Sequence, residues 1–144
     1  MAKAEIDPKA VRAQIALRLA EVSEVGFAFL FGSRAGGAPR PDSDWDLAVY
    51  LSSTLDSAGR ASVRDRLIAS LEPELRLDLV VLNDAPPLLA HRAIQGERIL
   101  MRDEPAFVRF AVRTLAASGD EAHWRDLHAR ERHHRLARGR FGRP

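Results

Sequence analysis

The chemistry available to this chain starts with three aspartates. Asp44 and Asp46 are separated by Trp45, and Asp78 sits inside the apolar run Leu77-Asp78-Leu79-Val80-Val81-Leu82. Side chains alternate along a strand, so Asp44, Asp46 and Ala48 share one face while Trp45, Leu47, Val49 and Leu51 share the other. Two carboxylates this close repel unless a cation neutralises them, and hard oxygen ligands favour magnesium or manganese. A carboxylate embedded in an apolar run is costly to bury without a partner. If its strand pairs beside Asp44 and Asp46, all three acids converge. Such a trio can hold two cations and activate a hydroxyl for in-line displacement at phosphorus. The alternative for Asp78 is an ion pair with Arg76 near the strand end.

The segment ahead of the acids suits the phosphate side of such a reaction. Gly32-Ser33 directly follows the wholly apolar run Phe27 to Phe31. Glycine lets backbone approach a ligand closely. Ser33 offers a hydroxyl and can begin a short helix whose free N–H groups face an anion. Arg34 and Arg40 are nearby donors for triphosphate charge, or simply solvated loop residues.

These residues need elements to hold them. Asp7-Pro8 reads as an N-cap and first helical position, and Val11, Ile15, Leu19 and Val22 give the helical spacing to about Glu24. Phe27 to Phe31 is a strand covered on both faces. A Gly-, Pro-, Arg- and Ser-rich stretch from Gly32 to Ser43 leads to a second strand, Asp44 to Leu51. Asp56 caps a helix with Val63, Leu67, Ile68 and Leu71 inward, ending near Pro73. Leu75 to Leu82 is a third strand. Pro86-Pro87 opens a helix to about Gln95, and Arg98 to Met101 is a short edge strand. From about Pro105 a helix carries Phe107, Phe110, Val112 and Leu115. The order α-β-β-α-β-α-β-α predicts an α/β (α+β) fold, a mixed β-sheet flanked by helices.

Gly32-Ser33, ten intervening residues and Asp44-Trp45-Asp46 resemble the GS-x10-DxD signature of the DNA polymerase beta-type nucleotidyltransferases. The run GSRAGGAPRPDSDWDLAV most resembles the minimal nucleotidyltransferase (MNT) family, whose members are antitoxins encoded with HEPN-domain ribonuclease toxins. The likeness extends more weakly through Leu77 to Leu82 and Ala85-Pro-Pro-Leu-Leu to Arg98-Ile-Leu, covering most of residues 25–103. One departure stands out: Gly36 occupies a position where the family often has arginine. The resemblance implies the polymerase beta-like nucleotidyltransferase fold. It also implies transfer of AMP from ATP-magnesium to a hydroxyl, typically a tyrosine, of the partner toxin. By matching positions, Gly32 and Ser33 would hold triphosphate; Arg34, Arg40 and Ser43 are further candidates for nucleotide binding. Asp44, Asp46 and Asp78 would hold two magnesium ions, with Asp78 also the general base.

Composition narrows the field. At 144 residues the chain fits one domain, and 46% apolar with 29% charged residues is globular. The absence of cysteine removes disulfides and thiolate chemistry. No apolar run reaches the roughly 20 residues that span a membrane, and the N-terminus is not a signal peptide, so a cytoplasmic location is expected. Residues 1–120 hold 15 basic and 17 acidic residues (net −2), whereas 121–144 hold 7 arginines, 3 acids (net +4) and four of the five histidines. The expected organisation is therefore a nucleotidyltransferase domain over 1–120 and a basic C-terminal helix or tail over 121–144. That tail has few interleaved aromatics to stack bases, so direct nucleic-acid binding is disfavoured. Without GxxxxGK[ST] there is no P-loop, and without GxGxxG no dinucleotide fingerprint. Two rivals remain: a small-molecule nucleotidyltransferase of the aminoglycoside type, and an antitoxin that acts by binding with a silent metal site.

Overall fold

The computed structural model describes residues 7–32, 44–71 and 75–118. Helix α1 (Pro8–Ala20) begins as its sequence indicates: the Asp7 carboxylate accepts the Lys9 N–H at 3.1 Å, and Val11, Ile15 and Leu19 form the buried stripe. It stops at Ala20, short of Glu24. There the Arg102 guanidinium donates to the carbonyls of Ala20, Val22 and Val25, taking up acceptors that the helix end and turn leave open.

Strand β1 (Val25–Phe31) is followed by β2 (Trp45–Leu51), α2 (Ser57–Leu71), β3 (Leu77–Val81), a single 3-10 turn (Leu82–Asp84), α3 (Pro87–Ile94), β4 (Glu97–Met101) and α4 (Glu104–Ala117). Asp56 caps α2, its carboxylate accepting the Gly59 N–H at 2.7 Å. The sheet order is β3-β2-β1-β4. β1 runs antiparallel to β2 and β4, and β2 runs parallel to β3, so the sheet is mixed as predicted. Helix α2 is the crossover that a parallel neighbour requires.

Alternation along the central strands divides the core in two. Val25, Ala28 and Leu30 of β1 and Trp45, Leu47, Val49 and Leu51 of β2 pack with Val11, Ile15 and Leu19 of α1 and Val63, Leu67 and Leu71 of α2. On the other face, Phe27, Phe29, Phe31, Ala48 and Tyr50 pack with Ala90 and Ala93 of α3 and Ala106 and Phe110 of α4. Phe27 and Tyr50 stack with centroids 4.7 Å apart, and Phe107 meets Phe27 edge-on at 5.2 Å. Burying each such side chain is worth about 1.5–3 kcal/mol, so both faces hold the sheet.

Asn83 joins the layers. Its side-chain amide donates to the Leu51 carbonyl and accepts the Leu51 N–H, both at 2.9 Å, replacing a strand partner where β2 outruns β3. Arg12 ties α1 to the sheet, donating to Glu97 of β4 at 2.7 Å with its guanidinium 5.8 Å from the centre of the Trp45 ring.

Candidate active site

Strand parity puts Asp46 on the face of β2 that carries Ala48 and Tyr50, the face covered by α3 and α4. In the parallel ladder Asp46 is registered directly with Asp78 of β3, and in the antiparallel ladder with Phe31 of β1. The third strand does pair beside the second, so Asp78 and Asp46 are cross-strand neighbours on one face. Asp78 is exposed on β3, an edge strand of the described sheet, so the cost of burying it does not arise.

Asp46 is half-buried, and its carboxyl is pushed above the ordinary aspartate range. Burial is the largest cause, followed by the negative charges of Asp78 and Asp44; the Arg92 guanidinium of α3 opposes the shift. Burial and the two neighbouring acids all disfavour the anion, so bringing a cation to this spot would relieve the strain that the fold imposes. The donor chemistry, carboxylate oxygens only, fits magnesium.

Asp44 stands just before β2 and is turned to Arg76, whose Nε lies 3.2 Å from Asp44 Oδ1. The partner considered for Asp78 is thus the partner of Asp44. Among the described residues no three histidine or acidic side chains form a ready-made metal cluster. Both side chains of the Asp44–Arg76 pair are more than half exposed, at 51% and 67%, so the pair is of the kind that holds by about 0–1 kcal/mol and yields readily to a stronger ligand.

Gly32 closes β1 with φ +75°, a left-handed conformation that side chains rarely adopt. A Cβ there would overlap Asp46 Oδ2 and come within 3.1 Å of Asp46 Cγ. The glycine thus turns the chain directly over the carboxylate. Ser33, Arg34, Arg40 and Ser43, assigned to nucleotide binding from the sequence, lie outside the described residues.

Arg92, near the end of α3, was not among the sequence candidates, although among the described residues it carries the one positive charge acting on Asp46. Helical periodicity shows which side of α3 is apolar but not which strand end that helix overlies. A separate cavity of about 400 Å³ is lined by Tyr50, Leu82, Phe110, Arg113 and Thr114 among others. Tyr50 lies four residues beyond Asp46, about 13 Å along the strand, so this cavity belongs to the opposite end of the sheet.

Comparison with known proteins bears on the fold and the family. Protein adenylyltransferase MntA of Shewanella oneidensis is 31% identical over 88 residues, which are 61% of this chain and 62% of that protein, so the match spans less than two thirds of that relative. A toxin–antitoxin structure with AMP-PNP is 25% identical with a TM-score of 0.57, covering 88% of this chain and 93% of that one. A complex of tri-AMPylated HEPN toxin with MNT antitoxin, also from Shewanella oneidensis, shares the fold at a TM-score of 0.54 and 23% identity, covering 91% and 94% of the two chains. The family model for Polymerase beta, Nucleotidyltransferase matches residues 13–105, a span holding Gly32, both acid-bearing strands and α3, and the chain belongs to that family.

Proposed function

We propose that this chain is an antitoxin that transfers AMP from ATP to a tyrosine hydroxyl of a HEPN ribonuclease toxin and so silences it. The observation that carries this reading is the in-register pair Asp46–Asp78, charge-strained beneath the left-handed turn at Gly32. The likeness to an adenylyltransferase and to a toxin–antitoxin structure with AMP-PNP supports the nucleotide and the class of partner.

Asp44, Asp46 and Asp78 would hold magnesium, Asp44 exchanging Arg76 for the metal. When bound, magnesium supplies charge neutralisation for the triphosphate and the departing pyrophosphate. Gly32 offers backbone at close range to the phosphates, with Ser33, Arg34, Arg40 and Ser43 as further donors. Asp78, the exposed acid, accepts the proton of the incoming hydroxyl. The hydroxyl oxygen forms a bond to the α-phosphorus as the bond to the β-phosphate oxygen breaks, and pyrophosphate leaves. Arg92 offsets part of the negative charge around Asp46. Catalysis of this kind is positioning and electrostatics rather than covalent work by the protein.

The test incubates the purified chain with magnesium, α-labelled ATP and its HEPN toxin. Label on the toxin, with loss of its RNase activity, is the expected outcome. No label and an unimpaired toxin refutes the proposal. The Asp44–Arg76 ion pair favours one rival, an antitoxin acting by binding alone. If Asp44→Asn with Asp46→Asn neutralises the toxin as well as wild type, that rival replaces the catalytic reading.

A further inference from the structure

The end of β2 that carries the acids is also where its register with β1 stops. The pairing runs as far as Phe31 against Asp46, and Gly32 then turns away. Toward β3, the Trp45 N–H donates to the Arg76 carbonyl at 2.7 Å, and Trp45 is registered with Leu77. Trp45 stands between Asp44 and Asp46 in the chain, and strand parity sends its indole to the face opposite Asp46. There it is 4% exposed and packs with residues of α1 and α2. Consecutive peptide planes link the three residues, so a swing of the indole carries both flanking carboxylates with it.

Arg12 of α1 reaches this indole. Its guanidinium carbon lies 5.8 Å from the ring centre, while its Nε donates to Glu97 of β4 at 2.7 Å. Glu97 is registered with Leu30, and Leu30 with Leu47, the residue two positions beyond Trp45. The guanidinium thus bridges from β4 across β1 to the head of β2, two strands or roughly 10 Å away. Arg12 and Glu97 are 22% and 33% exposed, so solvent screens this pair less than the Asp44–Arg76 pair. Val11, Ile15 and Leu19 already attach α1 to the sheet by apolar burial. What Arg12 adds is a directional hold on one ring, since a planar guanidinium can serve a carboxylate and an aromatic ring together.

We infer that Arg12 is a positioning residue for AMP transfer. Anchored by Glu97, it fixes the Trp45 indole on the reverse face of the sheet and so sets where Asp44 and Asp46 present their oxygens to magnesium. This rests on the proposed reading that those acids hold the metal. Magnesium demands near-octahedral oxygen geometry at about 2.0–2.1 Å, so a small swing of the strand end costs affinity. Arg12 lies across the sheet from Asp46 and acts through Trp45.

The experiment uses the full chain and reads magnesium in two ways: the rise in melting temperature on adding the ion, and the magnesium dependence of AMP transfer. Arg12→Gln is expected to raise the half-maximal magnesium concentration in both by about tenfold, the scale on which residues supporting a metal ligand act. At saturating magnesium kcat should fall while KM for the toxin is unchanged. Arg12→Lys keeps the charge without the planar fork and should recover part of the loss. Glu97→Gln takes away the anchor and should shift the requirement in the same direction. Asn83→Ala, at the far end of β2, controls for lost stability alone and should keep the wild-type requirement. An Arg12→Gln chain that melts lower yet needs no more magnesium overturns the inference, because the residue then only fastens α1. So does an equal rise in Asn83→Ala, which marks general loosening. Should Arg12→Gln fail to fold, unchanged requirements in both Arg12→Lys and Glu97→Gln overturn it. Failure of the two readings is separable. A wild type that binds magnesium more tightly than Arg12→Gln yet transfers no AMP refutes the catalytic reading alone. A wild type that transfers AMP, matched by Arg12→Gln at limiting magnesium, refutes the positioning role alone.

Discussion

The backbone of Gly32 lies against the carboxylate of Asp46 so closely that a methyl group on Gly32 would overlap Asp46 Oδ2. The end of one strand is thus moulded to the acid on its neighbour, and the positive φ of 75° lets the chain turn away over it. Gly32→Ala meets two penalties, an unfavourable backbone conformation and a displaced carboxylate. The expected loss is about 2 kcal/mol or more of stability, with transfer activity falling more steeply than stability explains. Urea unfolding beside initial rates checks both. A variant as stable and active as wild type refutes the moulding.

Asp46 is strained by the fold it serves. Its carboxyl is raised by burial and by Asp78 and Asp44, so the folded state holds its proton more tightly than the unfolded chain does. The sign follows from linkage. Below the unfolded value both states are protonated and Asp46 costs nothing. As pH rises through the unfolded and then the raised folded value, ionisation penalises the folded state, and the penalty is complete once pH is above the folded value. Without magnesium, Asp46→Asn should therefore be more stable than wild type at pH 7 and indistinguishable near pH 3. The same variant should lose AMP transfer by about a hundredfold or more, since metal charge stabilisation is worth several kcal/mol. Thermal melts across pH measure the first effect, and a variant no more stable at pH 7 contradicts it.

Magnesium should act in the opposite sense. Adding it at a hundred times its dissociation constant stabilises a protein that binds it only when folded by about 2.7 kcal/mol. Wild type should show this rise in melting temperature and Asp46→Asn should not. An identical response in both places the ion elsewhere.

Arg76 competes with the metal for Asp44. The pair is exposed, so Arg76→Gln should change stability by less than about 1 kcal/mol. Removing the competitor frees Asp44 and should lower the magnesium concentration needed for half-maximal activity. A requirement unchanged or increased would mean that Arg76 aids the site instead.

Asn83 tests the scaffold apart from the chemistry. Asn83→Ala leaves both the N–H and the carbonyl of Leu51 without their side-chain partner. About 1–3 kcal/mol should be lost, since an unsatisfied polar group costs more than a hydrogen bond gains. Magnesium affinity should be unaltered, because Leu51 lies at the far end of β2 from Asp46. Denaturant midpoints and metal titration read the two separately.

Much of this molecule was legible in the amino-acid order because the relevant rules are local. The period of two placed Asp46 opposite Trp45 and Leu47, and caps at Asp7 and Asp56 started α1 and α2 where expected. Gly32 was marked as a site of close backbone approach by its type and by the apolar run before it. What the sequence left open were relations between residues far apart along the chain. Asp46 meets Asp78 only because α2 returns β3 parallel to β2 in that register. Arg76 goes to Asp44 rather than Asp78, and Arg92 comes within electrostatic reach of Asp46, through the packing of separate elements. Phe107, Phe110, Val112 and Leu115 read as one apolar helix, whereas in the fold Phe110 is buried and Val112 and Leu115 are exposed. Alternation and helical phase fix which face a residue occupies. Only the folded arrangement of strands and helices fixes what that face meets.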